Sequence, residues 1–207
     1  GTASGFINKY NEYTDEFLSF NISEIERYSG HIADDRSDLP LILSRFSNTT
    51  ITSICEDSFG NLWISTWKQG VVILNPVTQK GIRLIKNKGN YSIPSNQITK
   101  LVKDQNGNMW GATLDNGIFM LPIDYINVFE KKEDILNQII KINTKNGLPD
   151  NSIISLMVDK KNNLWIGSFT KGLFSFPLND FEIKNLYKKT HYFSSDNKKL
   201  SSNTVTS

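Results

Sequence analysis

Three aspartates recur at matched places in this 207-residue chain, Asp57, Asp104 and Asp159, and two carboxylates brought together could do general acid–base work. Each, however, opens an Asp-x-x-Gly or Asp-x-x-Asn phrase, where a side-chain oxygen closes a turn, so turn closure accounts for all three. His31 and His191 stand beside no repeated serine, cysteine or carboxylate, so no nucleophile–base pair can be written. Phosphate-binding glycine loops and clustered metal ligands are missing, so the reading assigns no catalytic residue, no metal and no cofactor. The lone Cys55 shares a column with Val102 and Met157 and reads as a small buried hydrophobe. The remaining chemistry is binding. Trp67 stands outside the repeated tryptophan column, beside Lys68 and Gln69 and with Tyr91 nearby. An aromatic platform among polar groups suits the apolar face of a sugar ring. Asp115 and Asn116, then Phe169 and Lys171, hold the matching places in the two later repeats and complete the candidate ligand set.

The elements that must carry these residues follow from a phrase that recurs three times. It runs from Asn48 to Trp63, from Asn96 to Trp110 and from Asn151 to Trp165, and a fourth copy begins at Asn203. The tryptophans lie 47 and 55 residues apart, and a period of about 50 marks a solenoid, a propeller or an array. Ile51 to Glu56, Ile98 to Lys103 and Ile153 to Val158 are short β-branched runs, nearly continuous in apolar residues, as strands covered on both faces would be. Gly60 and Gly107 supply the positive φ of a tight hairpin, and Asn162 takes that place in the third repeat. Second strands open with the tryptophans. Third strands follow Gly70, Gly117 and Gly172 and stop at Pro76, Pro122 and Pro177. Fourth strands are expected at 81–86, 138–143 and 190–195.

Four strands in about fifty residues make a propeller blade, so the expected fold is all-β, a run of four-stranded antiparallel blades. The expected divisions are a preceding blade's end plus an irregular insertion at 1–46, then blades at 47–94, 95–149 and 150–202. The second blade carries an insertion near 123–137 with a short helix, and 203–207 opens a first strand. Gly1-Thr2 and the following residues match Ser65-Thr66 onward, so the chain reads as part of a larger propeller, and such a part is expected to self-associate or to be poorly stable in isolation. Asp57, Gly60, Trp63, Asp104, Gly107, Trp110, Asp159, Asn162 and Trp165 are read as the structural grammar of the repeat. The tryptophans in particular are assigned to packing between blades.

Charge is nearly balanced, 23 basic against 21 acidic residues, with no basic footprint for nucleic acid. No apolar run is long enough for a membrane span, and no signal peptide is legible at the N-terminus. The loops between second and third strands share one face with the segments leading into each blade (87–95, 145–150 and 196–202), and rigid scaffolds carry function on such loops.

The repeated phrase, with Trp165-Ile-Gly-Ser168 and the lead-in Ile142 to Asn151, resembles the two-component regulator propeller repeat over about 1–20 and 46–207. It departs from the pattern at Gly111, where isoleucine is usual, and across 21–46. The resemblance implies the periplasmic sensor of a Bacteroides-type hybrid two-component system. The parent would be a homodimer, tethered by its own membrane helix, with a cytoplasmic histidine kinase. Its ligand would be an oligosaccharide, and this segment itself would not be an enzyme. Alternatives are a propeller enzyme resembling streptogramin lyases and a protein-interaction scaffold.

Overall fold

The computed structural model describes residues 50–78, 80–86, 92–122, 129, 138–179, 181–183, 186 and 190–206, together with the backbone of 6–11 and 16–21. A first antiparallel hairpin pairs β1 (Phe6–Asn11) with β2 (Glu16–Asn21). Three four-stranded antiparallel sheets follow. The first is β3 (Ile51–Glu56), β4 (Leu62–Thr66), β5 (Val71–Asn75) and β6 (Lys80–Leu84), paired in chain order. The second is β7 (Ile98–Lys103), β8 (Met109–Thr113), β9 (Ile118–Leu121) and β10 (Ile140–Ile142), and the third β11 (Ile153–Val158), β12 (Asn163–Ser168), β13 (Leu173–Pro177) and β14 (His191–Phe193). The fold is therefore the expected run of propeller-like sheets, and among the described residues they do not close into a ring. The helix expected near 131–137, together with Tyr91, His31 and the 22–46 segment, lies outside the described residues.

Why the sheets stack is visible in their alternation. Cross-strand pairing puts Cys55, Trp63, Ile73 and Ile82 on one face of the first sheet. That face packs on Leu101, Met109, Phe119 and Leu121 of the second sheet in one core cluster. The opposite face of the second sheet carries Trp110, Ala112, Ile118, Met120 and Ile142. It packs in turn on Leu156, Leu164, Ile166, Phe174 and Phe176 of the third. Trp63 and Trp110 are 0% and 1% exposed, so each tryptophan is the wedge between one sheet and the next. Burying such a ring contributes about 2–3 kcal/mol from area alone. Ile93 and Leu148, from the segments leading into the second and third sheets, plug the same two interfaces.

Two expectations need correction. The first strands are not covered on both faces: β7 and β11 mix buried with half-buried and exposed residues and β3 has only half-buried and exposed ones, whereas β4, β8 and β9 are buried throughout. First strands form one edge of each sheet, and they meet one another there (β3 with β7, β7 with β11), so water reaches them. Cys55 is accordingly half-buried rather than buried, although it does pack on the first core. Burial pushes its thiol above the usual value, with Lys103 opposing. Gly111 also acquires a reason. A Cβ there would lie 2.2 Å from the Phe119 ring, which is wholly buried and occupies the volume isoleucine would fill.

Candidate functional site

Each hairpin between first and second strands is held by a carboxylate with at least four bonds. In the first sheet Asp57 Oδ1 accepts the backbone N–H groups of Phe59 and Asn61, both at 2.9 Å. Its Oδ2 accepts Asn61 Nδ2 at 2.9 Å and Trp63 Nε1 at 3.1 Å. Asp104 repeats this with Asn106, Asn108 and Trp110, and Asp159 with Lys161, Asn163 and Trp165. Gly60 and Gly107 take φ of 79° and 89°, and Asn162 takes 59°, as the turn demands. Sequence reasoning found the turn and missed the clamp: the aspartate also anchors the indole, which in the first two repeats separates the sheets. The signal was present, since Asp, Asn and Trp recur at fixed offsets. All three sites are structural. The Trp165 indole N–H, with Asn163, holds the Asp159 carboxyl well below the usual carboxylate range.

A second repeated device joins neighbours. Asn96 Oδ1 accepts the Lys86 N–H at 2.7 Å, and its backbone oxygen accepts the Gly70 N–H at 3.0 Å. Asn151 does the same with Thr144 and Gly117, and Asn203 with Ser195 and Gly172. Asn96 and Asn151 thus staple the end of one sheet to the start of the next, and Asn203 ties the third sheet to the segment that follows it. Gly117 has φ 76°, and a Cβ there would meet the Ile142 oxygen at 2.2 Å. Only glycine fits so close an approach.

These staples fix the loops that carry the candidate ligand residues. Thr66 and Thr113 donate their hydroxyls to the Gly70 and Gly117 oxygens and accept the N–H groups of Gln69 and Asn116. The third loop differs. Ser168 donates to the Asp150 carboxylate, which also accepts the Thr170 hydroxyl. Partial burial pushes the Asp150 carboxyl up, but bonds from Ser168, Ser152 and Thr170 outweigh it and leave it below the ordinary value. The N–H groups of Trp67, Leu114 and Phe169 donate to the oxygens of Thr50, Gln97 and Ser152, so all three loops sit at the same end of their sheets as the lead-in segments.

On this rim Trp67 is 39% and Phe169 54% exposed, and Lys68, Asp115 and Lys171 are exposed too. Gln69 and Asn116 are half-buried. Arg83 donates to the Gln69 backbone oxygen at 3.2 Å and side-chain oxygen at 3.4 Å. The candidate residues other than Tyr91, which lies outside the described residues, are therefore distributed over three equivalent loops, one to each sheet. None of these described residues lines the cavity of about 600 Å³, which runs along the first strands past Thr52, Thr99 and Lys100 to Trp165 and Leu173. Among the described residues no cluster of metal-ligating side chains occurs, and no helix is long and apolar enough to cross a membrane.

Comparison with known proteins bears on this frame. Residues 45–68, 92–115 and 147–170 match the family model described as the two component regulator propeller, so the chain carries three repeats of that kind. None of the curated proteins matches. Among solved structures, one named as the extracellular domain of a hybrid two component system from B. thetaiotaomicron aligns at 20% identity and TM-score 0.52. That alignment covers 80% of this chain and 20% of the other. A second such domain from B. thetaiotaomicron aligns at 25% identity and TM-score 0.49, covering 69% of this chain and 17% of the other. Virginiamycin B lyase from Staphylococcus aureus aligns at 11% identity and TM-score 0.50, covering 86% of this chain and 47% of the lyase. At such identities a likeness in structure speaks to fold, and a fold hosts many functions. This chain spans only a small part of the two component system domains it resembles.

Proposed function

We propose that this chain is a ligand-sensing part of a periplasmic sensor propeller in a hybrid two-component system, and that it does no chemistry itself. The observation that carries the reading is the pairing of the regulator-propeller repeat with two exposed aromatics, Trp67 and Phe169, on loops locked at both ends. Locked loops lose little freedom when a ligand settles on them, which favours recognition by a preformed rim. The ligand is an oligosaccharide. Indole and phenyl rings offer flat apolar faces, while Lys68, Asp115 and Lys171 stand exposed on the same rim for hydroxyl groups. Relay to a kinase in the parent requires the ligand to favour one arrangement of the sensor over another.

A thermal-shift screen of the parent sensor region against polysaccharide-derived oligosaccharides, with Trp67→Ala and Phe169→Ala alongside, tests this. One glycan class should raise Tm by several degrees, as ligand at about a hundred times Kd gives about 2.7 kcal/mol, and either variant should reduce the shift. A shift untouched by both variants would move the site off this rim. No shift with any glycan would remove the oligosaccharide reading.

A further inference from the structure

Cations gather at the rim end of the sheets. Lys68 and Lys171 stand on the loops, and Lys86, Lys145, Lys198 and Lys199 on the segments leading onward, all six exposed. In the described residues three carboxylates share that end, Asp115, Asp150 and Asp196. Asp150 is already engaged, by the Ser152 N–H at 3.1 Å and by the hydroxyls of Ser168 and Thr170. Among the described residues no carboxylate pairs with any of the six lysines. At the opposite hairpins Lys103, Lys160 and Lys161 are set against four carboxylates, Glu56, Asp57, Asp104 and Asp159, so the positive excess belongs to the rim.

Beside the third loop this charge is built into the backbone. The segment after the third sheet repeats the turn of the segment after the second. Asn146 Oδ1 accepts the Asn143 N–H at 2.6 Å, and its Nδ2 donates to the Lys141 oxygen at 2.9 Å. Asn197 does the same with Ser194 at 2.9 Å and Tyr192 at 3.0 Å. The next residue is Gly147 in one turn, with φ 106°, and Lys198 in the other, with φ 59°. A lysine thus holds a left-handed position that glycine fills without steric cost. The run from Asn197 to Asn203 is also one residue longer than that from Asn146 to Asn151, and Lys199 stands in the longer run. Neither feature is needed by the turn, which forms without them after the second sheet. Lys199 Nζ sits 5.1 Å over the Phe193 ring. The Thr204 hydroxyl donates to the Phe169 oxygen at 2.9 Å and the Gly172 N–H to the Asn203 oxygen at 2.8 Å, so this segment is fastened beside the loop of Phe169 and Lys171.

Exposed aromatics and cations coincide along the rim. Trp67 has Lys68 on its own loop and Lys86 on the joined segment, and Phe169 has Lys171 with Lys198 and Lys199. The loop without an aromatic, Leu114 to Asn116, carries the acid Asp115 instead. Resting on the oligosaccharide reading of this rim, we infer that the ligand is an acidic oligosaccharide. Its carboxylate or sulfate groups meet the lysines while its ring faces lie on Trp67 and Phe169. Charge of opposite sign speeds encounter and excludes neutral competitors, which a row of aromatics alone cannot do.

The test titrates the parent sensor region with three sets of oligosaccharides, bearing uronates, bearing sulfates, or bearing neither. Each acidic binder is then methyl-esterified or desulfated, which says which group is read. The binder should be acidic, neutralising it should weaken Kd, and so should raising salt from about 0.05 M to about 0.5 M. Lys171→Gln, Lys198→Gly and Lys199→Gln together should weaken acidic binding roughly tenfold, in line with three exposed charge pairs. The triple variant should fold as before, since Gly147 holds the place matching 198. A neutral glycan that binds as tightly, or an acidic one indifferent to neutralisation, would overturn the inference and leave the oligosaccharide reading standing. Acidic binding that the triple variant leaves unchanged would overturn it as well, because the charge would then be read elsewhere. Binding by no glycan of any set would remove both readings together.

Discussion

The carboxylate clamp makes a sharp prediction at Asp104→Asn. If the aspartate only closes a turn, asparagine serves almost as well, and the change should stay within about 0.5 kcal/mol. The structure demands more. Asp104 is 4% exposed and Trp110 1%, and the two carboxylate oxygens together accept four donors, each at 2.9 Å. An amide keeps one acceptor oxygen and puts an NH2 where the other stood. If the oxygen stays with the turn, the NH2 faces Asn108 Nδ2 and Trp110 Nε1. Leaving the buried indole N–H without an acceptor costs about 1–3 kcal/mol, and the remaining bonds lose their charge assistance. The expected loss is therefore about 2–3 kcal/mol, or roughly 5–10 °C in Tm for a chain of this size. Urea unfolding of Asp104→Asn, Trp110→Phe and the double variant measures it. The cycle should return a coupling of about 1–2 kcal/mol, because the second change removes the donor that the first had orphaned. Asp104→Asn within 0.5 kcal/mol of the parent, with no coupling to Trp110, would refute the clamp and restore the turn-only reading.

Three further outcomes follow from the same geometry. Gly111→Ile should destabilise by about 3 kcal/mol through overlap with Phe119. Adding Phe119→Val, which copies the Ile64–Val72 pair of the first sheet, should recover much of that by urea titration; no recovery would mean the two side chains do not share that volume. Asn151→Ala, which leaves the Thr144 N–H without its partner at 2.9 Å, should cost about 1 kcal/mol, and an unchanged urea midpoint would discount the staple. The folded-state carboxyls of Asp159 and Asp150 lie below the ordinary value. Their stabilisation is thus fully present above the unfolded pKa of about 3.9 and is lost as pH falls through the folded values. Tm should owe no slope to these two groups between pH 7 and 5 and should fall below about pH 4. A decline completed by pH 5 that Asp159→Asn and Asp150→Asn abolish would contradict the sign.

Much of the fold was legible because the repeat carries its own punctuation. Strands at 51–56, 98–103 and 153–158 appear where β-branched runs stand between turn residues. Fourth strands were the least legible. They are shorter than expected or shifted, Ile140–Ile142 against 138–143, because an outer strand pairs along one edge and carries little apolar signal. The rim was legible only in part. Loop position follows from strand order, so Trp67 and Phe169 could be placed on equivalent loops. That Gln69 is engaged by Arg83, or that Ser168 turns to Asp150, depends on side chains distant in sequence.

The sequence by itself determined that the chain is built from a repeated four-strand unit, since hydrophobic alternation, turn glycines and prolines are local signals that each strand obeys alone. Tertiary structure alone decided what the repeated polar residues do. The aspartate reaches past its turn to an indole, the asparagine ties one sheet to the next, and a first strand stays wet beside buried second and third strands. These outcomes depend on which surfaces meet, and surfaces meet only when whole sheets stack.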